Sequence, residues 1–428
     1  DYANCCLRSI GLGTRTHDEN VRVMHPMKRT GERGSGEFEQ ITWEQAIDEI
    51  AERMEATRAQ YGPKACGFYS FTGNLLKLSW EAPTRFAGTY GATAFDIEGI
   101  MGDHGATMGM TLCFGQGRGA HDTRDYLNSK MVVLWGRNVA DTHTSEFRYL
   151  VKARENGAKI VVVDPRLCST AAIADQWIPI KAQTDPALAL GMMNVIINED
   201  LYDHDFTANW CNGFDQLAQH VQQYTPEWAA NITGLPVDQI YQIARMMGTT
   251  KPMGILYGNG IGDQQNDGNW TCISICLIEA ITGNLDIAGG GGASMTMPPS
   301  LIKTNKFDIL TDRLPASPED EEKGYYAGMA KLVAPETPRW YQNPKTWESG
   351  PNSAYFKALM SVETQDPYPL RAILGQASNP FGATRQPKKI AEALKNVKAF
   401  AAMDKSDSFN AHCGPIYAET AAALVQAG

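Results

Sequence analysis

Residues 131–138 read Met131-Val132-Val133-Leu134-Trp135-Gly136-Arg137-Asn138, and residues 159–166 read Lys159-Ile160-Val161-Val162-Val163-Asp164-Pro165-Arg166. Each is a short, continuous apolar run stopped by a turn-forming cluster. A run without polar alternation is what a strand shows when both its faces are covered, the condition of a parallel sheet flanked by helices. Ser145 to Asn156 between them reads as a helix, so the stretch is strand, helix, strand. Further on, Gln176 to Lys181 is strand-like. It leads to Thr184-Asp185-Pro186, where Thr or Asp caps and Pro opens a helix running to about Asn198. Met253 to Tyr257 and Arg371 to Leu374 add two more strands that end at glycine. In open parallel sheets ligands sit beyond the carboxyl ends of the strands, so these terminal clusters outline one candidate binding surface.

The rest of the chain fits an enzyme-sized protein. Its 428 residues are too many for one compact core and call for two or three domains. With 43% hydrophobic and 20% charged residues, disorder and fibrous repeats are excluded. The 40 glycines gather at Gly258 to Gly262 and Gly289 to Gly292, where backbone can approach a large ligand closely. A net charge of -10 without a basic stripe excludes nucleic acid as the main partner. No apolar run has the length of a membrane span. The nine cysteines lack disulfide-like spacing. No leader stands at Asp1, so the sequence reads as a cytoplasmic protein or as a mature chain. Near the start, Thr42 with Gln45 three positions on forms a helix start, and Trp43, Ala46, Ile47, Ile50 and Met54 recur at helical spacing towards Gly62. Asp286 to Tyr355, rich in Pro, Gly and charge, reads as a long excursion between domains.

Five segments carry a resemblance: Trp135-Gly136-Arg137-Asn138, Val163-Asp164-Pro165-Arg166, Gln183-Thr184-Asp185, Thr282-Gly283-Asn284 with Gly289-Gly290-Gly291, and Ser378-Asn379-Pro380. In that order they resemble the cofactor-binding segments of the dimethyl sulfoxide reductase family of molybdopterin-guanine-dinucleotide oxidoreductases. Pro26-Met27-Lys28-Arg29 followed by Phe38-Glu39-Gln40-Ile41-Thr42-Trp43 is similar to that family's entry into its second domain. Each motif is short, and the signal lies in their order and spacing over nearly the whole chain to Asp404. The resemblance implies an α/β fold in which a Rossmann-like parallel-sheet domain, residues 130–300, is inserted in a discontinuous second α/β domain, residues 41–129 plus 301–428. Residues 1–40 would be the remnant of an iron-sulfur domain, and the C-terminal cofactor-binding domain would be absent. The implied cofactor is bis-molybdopterin guanine dinucleotide with molybdenum or tungsten, held by the five segments and by Gly258 and Gly260.

Elementary chemistry gives these residues two readings each. Asp185 at a helix start can accept from the guanine N1–H and amino group, or simply cap the helix. Gly136 to Asn138 and Gly258 to Gly262 can offer backbone N–H groups to a diphosphate, or serve tight turns. Asp164 can take a ribose hydroxyl pair, or shape a surface turn. A nicotinamide site competes, but it needs G-x-G-x-x-G after the first strand. Gly258-Asn259-Gly260-Ile261-Gly262 has other spacing and stands late in the chain.

The resemblance also reaches the first residues and the metal. Cys6-Leu7-Arg8 resembles the last of the family's four cluster cysteines, with Arg8 between cluster and pterin. A 4Fe-4S cluster needs four thiolates, and only Cys5 and Cys6 precede Cys66. The expectation is that the other three lie before Asp1, loss of the cluster being the alternative. The family's metal ligand, Ser, Cys or Asp, lies in the loop that here reads Gly102-Asp103-His104-Gly105-Ala106-Thr107. Relatives with Asp-Tyr-Ser have their serine ligand where this chain has Gly105. Asp103 can bind the metal instead, or Asp103 and His104 can form an acid/base pair, or the loop only gives hydrogen bonds. Cys113 is a further thiolate candidate or a buried structural cysteine. The implied activity is reductive removal of oxygen or hydroxyl from a small-molecule substrate. Electrons would come through an iron-sulfur electron-transfer subunit and a membrane anchor subunit, at a periplasmic or membrane-associated location, with the cytoplasm open. The missing serine suggests as an alternative a phenolic dehydroxylase or transhydroxylase, with Trp80 or Tyr90 near the ring; a non-catalytic, metal-free fragment or assembly subunit is a further alternative.

Overall fold

The computed structural model describes residues 9, 17–18, 23–70, 86, 90–95, 104–114, 122–263, 268–291, 362–365, 369–376, 388, 391–392 and 399–403. The strands in chain order are β1 (Met27–Arg29), β2 (Phe38–Gln40), β3 (Cys66–Ser70), β4 (Thr93–Phe95), β5 (Met131–Trp135), β6 (Lys159–Val163), β7 (Gln176–Ile178), β8 (Met253–Tyr257), β9 (Ala372–Gln376) and β10 (Ala399–Met403). The longer helices are α1 (Trp43–Tyr61), α2 (His104–Phe114), α3 (Thr144–Glu155), α4 (Asp185–Asn198), α5 (Pro226–Thr233), α6 (Val237–Thr249) and α7 (Gly268–Ile281). The chain divides into two compact units, one of Gly102–Leu301 with Asp1–Ile10, the other of Gly11–Met101 with Ile302–Gly428. The boundary thus falls at Gly102, ahead of the first apolar strand, because α2 packs on α7 and belongs with the first unit.

In the second unit a parallel sheet has the order β10-β9-β3-β4, and β1 and β2 form an antiparallel pair. The strand expected at Arg371 to Leu374 is β9, displaced to Ala372–Gln376, and it pairs with β3 and β10. It therefore lies in a different sheet from β5, β6 and β8. The capping box of α1 is present, with Gln45 N donating to Thr42 Oγ1 and Thr42 N donating to Gln45 Oε1. Its apolar stripe is not all buried: Met54 is, while Trp43 and Ile47 are 63% and 59% exposed. The spacing was right for a helix but overstated the face that the described residues cover.

The first unit is built on a four-stranded, all-parallel sheet of order β7-β6-β5-β8. Every residue of β5 is buried, as the unbroken apolar run requires. Met131, Val133 and Trp135 pack on the side of α4, α5, α6 and α7, and Val132 and Leu134 pack with Tyr126, Leu150 and Ala153 on the side of α3. Each fully buried Val, Leu or Ile contributes about 1.5–3 kcal/mol relative to exposure, so the double-sided burial fixes the register of this sheet. β7 ends at Ile178, short of the expected Lys181, because Pro179 has no N–H to continue the ladder. α4 begins at Asp185 and ends at Asn198 as its Pro and its apolar run predict.

Candidate functional site

The chain runs β5, β6, β7 towards one side of the sheet and then returns to place β8 on the other side of β5. The strand order therefore reverses between β5 and β8, and a crevice at such a switch point is where open parallel sheets take their ligands. The carboxyl ends that meet there are Trp135-Gly136-Arg137 and Tyr257-Gly258. Gly258 N donates to Trp135 O at 2.9 Å, and Gly136 N donates to Val163 O at 2.9 Å. Gly136 has φ +61°, the left-handed region that suits glycine. A Cβ on Gly258 would collide with the carbonyl of Gly136, whereas one on Gly260 would stand 3.4 Å from that oxygen. Gly258→Ala is therefore expected to cost about 1–3 kcal/mol in urea unfolding, the range for overpacking, with Gly260→Ala nearly neutral. Equal effects would show that the close approach is not a constraint.

Around this crevice buried side chains hold the loops. Trp135 Nε1 donates to Asp185 Oδ1 at 2.7 Å, joining the end of β5 to the start of α4. Arg137 donates through Nε and Nη2 to Glu146 at 3.2 and 2.7 Å, and through Nη1 to Tyr257 O at 3.2 Å, so it braces the ends of β5 and β8. Glu146 is buried and also accepts from Tyr126 Oη at 2.6 Å. Burial first, and the Glu146 charge second, push the Tyr126 phenol up. Asn138 is held by Thr170, whose hydroxyl donates to Asn138 Oδ1 at 2.7 Å, and by Asp141, which accepts from Asn138 Nδ2 at 2.6 Å.

The other predicted residues divide. Asp164, half-buried at the end of β6, accepts from Arg166 N at 2.8 Å, forming the turn that exposes Pro165 and Arg166. Gln183 is exposed with φ +67°, just before Asp185, which is 6% exposed. Thr184 makes no side-chain cap; its hydroxyl donates to Lys181 O at 2.6 Å. Asn284 is set apart from the crevice. It is fully buried and accepts from Met253 N at 2.8 Å, at the first residue of β8 and so at the opposite edge of the sheet. Gly289 lies at that edge too, its carbonyl accepting from Ser129 Oγ at 2.7 Å. Asp103, Cys6, Arg8, Ser378 and Asn379 lie outside the described residues. His104 opens α2, whose first turn packs on the glycine turn beyond β8: the amide of Ala106 is 2.9 Å from where a Cβ of Gly262 would stand. Cys113 lies against Ile273 and Cys276, and its hydrogen bond to Cys276, then burial, push its thiol up, which keeps it protonated as a structural cysteine would be.

Sequence reasoning missed Arg137, Glu146 and Glu279 as organising groups. Arg137 stood inside a quoted motif, but nothing in the sequence showed that a glutamate nine residues on, in a helix, turns inward to meet it. Among the described residues no cluster of His, Cys, Asp and Glu has metal-holding geometry, and no helix is long and apolar enough to cross a membrane.

A parallel sheet whose strand order reverses at β5, with glycine turns, a guanidinium and a buried carboxyl collected there, defines an α/β protein with a topological switch point, the place where open sheets of this kind take ligands. The family model for molybdopterin oxidoreductases matches residues 22–407. The chain belongs to the molybdopterin oxidoreductase family and is one of the dimethyl sulfoxide reductase type within it. It is 32% identical over 399 residues to the acetylene hydratase of Syntrophotalea acetylenica, covering 87% of this chain and 51% of that protein. It is 31% identical over 396 residues to the thiosulfate reductase molybdopterin-containing subunit PhsA of Salmonella typhimurium, covering 88% and 47%. With dimethyl sulfoxide reductase DmsA of Escherichia coli it shares 33% over 319 residues, covering 68% and 39%. The solved acetylene hydratase from Pelobacter acetylenicus superimposes with a TM-score of 0.68 at 27% identity, covering 93% of this chain and 55% of that one. The chain thus spans about half the length of the relatives it matches.

Membership implies a molybdopterin carrying molybdenum or tungsten. The donor set at the crevice fits such a group. Three of Arg137's N–H groups are engaged, and a guanidinium carries five donors, so two remain for an anion. Asp185 supplies a carboxyl at the start of α4, and the glycine turns admit backbone approach.

Proposed function

We propose that this chain forms part of the cofactor site of a molybdenum- or tungsten-dependent oxidoreductase that removes oxygen or hydroxyl from a small substrate in a two-electron reaction. The observation that carries this reading is the switch-point crevice between β5 and β8, in a chain of this family, lined by groups suited to a guanine dinucleotide. Asp185 would accept from the guanine, Gly136, Asn138, Gly258 and Gly260 would border the diphosphate beside Arg137, and Asp164 would take ribose. Gln183, Trp135, Pro165 and Arg166 would complete that edge, and Ser378 and Asn379 are proposed as cofactor-binding residues on their motif. When bound, the pterin-held metal supplies the electron chemistry, and the chain's part is to bind, orient and supply protons. Asp103 is the proposed metal ligand or acid, His104 the proton donor, and Cys6 and Arg8 would serve a 4Fe-4S cluster. Residues 11–101 and 302–428 would form one domain with 102–301 inserted. An iron-sulfur subunit and a membrane anchor subunit would deliver electrons at a periplasmic or membrane-associated site.

Purified protein is expected to contain molybdenum or tungsten and to release GMP on acid hydrolysis. Metal analysis and nucleotide chromatography measure both, and absence of GMP would reject the guanine-dinucleotide reading. A second reading is favoured by the acetylene hydratase matches, which cover 87% of this chain in sequence and 93% in structure: water addition to an unsaturated substrate. A reductase should consume a reduced viologen dye in step with substrate, whereas a hydratase should turn over without net consumption of reductant.

A further inference from the structure

Thr170 lies between β6 and β7 and is fully buried. Its Oγ1 accepts from Ala140 N at 3.0 Å and donates to Asn138 Oδ1 at 2.7 Å, so one side chain from beyond β6 holds two residues of the segment that follows β5. A backbone N–H can only donate, and a hydroxyl has a single proton. That proton is therefore committed to Asn138, and the atom it meets there must be the amide oxygen. The other end of the amide agrees: Asn138 Nδ2 donates to Asp141 Oδ2 at 2.6 Å, and an ionised carboxylate only accepts. Two neighbours thus assign one orientation to the Asn138 amide. Valine would fill the space of Thr170 and supply neither bond.

From this we infer that Thr170 is a positioning residue for the cofactor diphosphate, its hydroxyl fixing the turn from Gly136 to Asn138 so that the turn keeps donors, and not an amide oxygen, for the ligand. The inference rests on the reading of the crevice as a guanine dinucleotide site. Phosphate oxygens are bound by N–H donors. The amide nitrogen carries two, and Asp141 takes one, so one remains. Among the described residues Arg137 N and Asn138 N meet no acceptor, and successive backbone N–H groups in a turn are the elements of an anion-binding concavity. The amide oxygen is kept out of that set because Thr170 occupies it. With the hydroxyl removed, Ala140 N loses its acceptor and the Asn138 amide is held by Asp141 alone. The turn then loosens, and an amide oxygen turned towards phosphate repels it.

The test uses the full chain, depleted of cofactor, titrated calorimetrically with GDP, inorganic pyrophosphate and guanosine as probes. Thr170→Val is expected to weaken GDP and pyrophosphate by the same factor, roughly 5- to 100-fold, the range for losing one or two hydrogen bonds, and to leave guanosine unchanged. Guanosine is the control that a merely structural role would move, since a loosened fold weakens every ligand. Thr170→Ser keeps the hydroxyl and should bind all three like the parent. If Thr170→Val folds poorly, Asn138→Ala, which leaves Thr170 bonded to Ala140 N, should give the same split between GDP and guanosine. Unchanged GDP affinity in these variants, an equal loss of guanosine, or no recovery in Thr170→Ser would each overturn the inference and leave Thr170 a structural residue. A parent chain that binds no GDP and whose holoenzyme releases no GMP would overturn the guanine dinucleotide reading itself, a failure visible without any variant.

Discussion

Raising the pH from below 4.5 to above about 8 is expected to remove several kcal/mol of stability from the parent chain relative to its Glu279→Gln variant. Glu279 lies on α7, is 2% exposed, and reaches under β8. Among the described residues its carboxyl meets two weak donors, Ile255 N at 3.4 Å and Tyr257 Oη at 3.3 Å. Burial dominates and pushes its pKa up to about 8, with Asp286 adding to the rise and the two donors opposing it. The unfolded chain releases this proton near 4.5, so between that value and about 8 the folded state binds more protons than the unfolded. Stability is fully present below the lower value, falls by about 1.4 kcal/mol for each pH unit across the interval, and levels off above it. Glutamine keeps the shape and does not titrate. Burial pushes the neighbouring Tyr257 phenol and Cys276 thiol well up, so both stay protonated throughout the window. Urea unfolding of both proteins across the window measures the difference. Parallel pH profiles would mean that Glu279 is charged in the fold or reached by water.

The same glutamate shows where sequence reading stops. Met131–Trp135, Lys159–Val163 and Met253–Tyr257 are strands with the bounds the apolar runs gave, because burial on both faces leaves a local signature. The Thr42 and Gln45 capping box is equally local, a matter of residues three apart. The crevice was legible only in part. That strands end in glycine or aspartate is visible in the chain, but that β8 lies beside β5, and that β9 belongs to another sheet, depends on pairings more than a hundred residues apart. Asn284 and the Gly289 turn were grouped with the crevice by motif order, and the fold puts them at the far edge, where Asn284 ties off the first amide of β8. Nothing local in the sequence marks Glu146 and Glu279 as buried. What decides it is a tertiary partner, Arg137 for one and the underside of β8 for the other.

The loop at Asp103 and His104 is where the chain departs from the Asp-Tyr-Ser pattern, and there the largest effect on turnover is expected. His104 begins α2, and the first turn of that helix is fixed by Cys272 Sγ donating to Ala106 O at 3.2 Å and by its packing on Gly262. The start of α2 is thereby set beside the glycine turn beyond β8, on the switch-point side of the sheet. If His104 gives a proton to the leaving oxygen, His104→Gln removes a general acid, a loss typically of about 10²–10⁴-fold in rate. Metal content should stay at the parent level. If Asp103 binds the metal, Asp103→Ala should alter the metal's electronic spectrum or lower its occupancy, while Asp103→Asn should keep the metal through its amide oxygen. The two roles separate because one variant moves turnover alone and the other moves the metal. Turnover with a reduced dye and metal analysis on each single variant decide the matter. Parent-level turnover with full metal in both would remove this loop from the chemistry and direct the search to Arg118 and His121, beyond the end of α2.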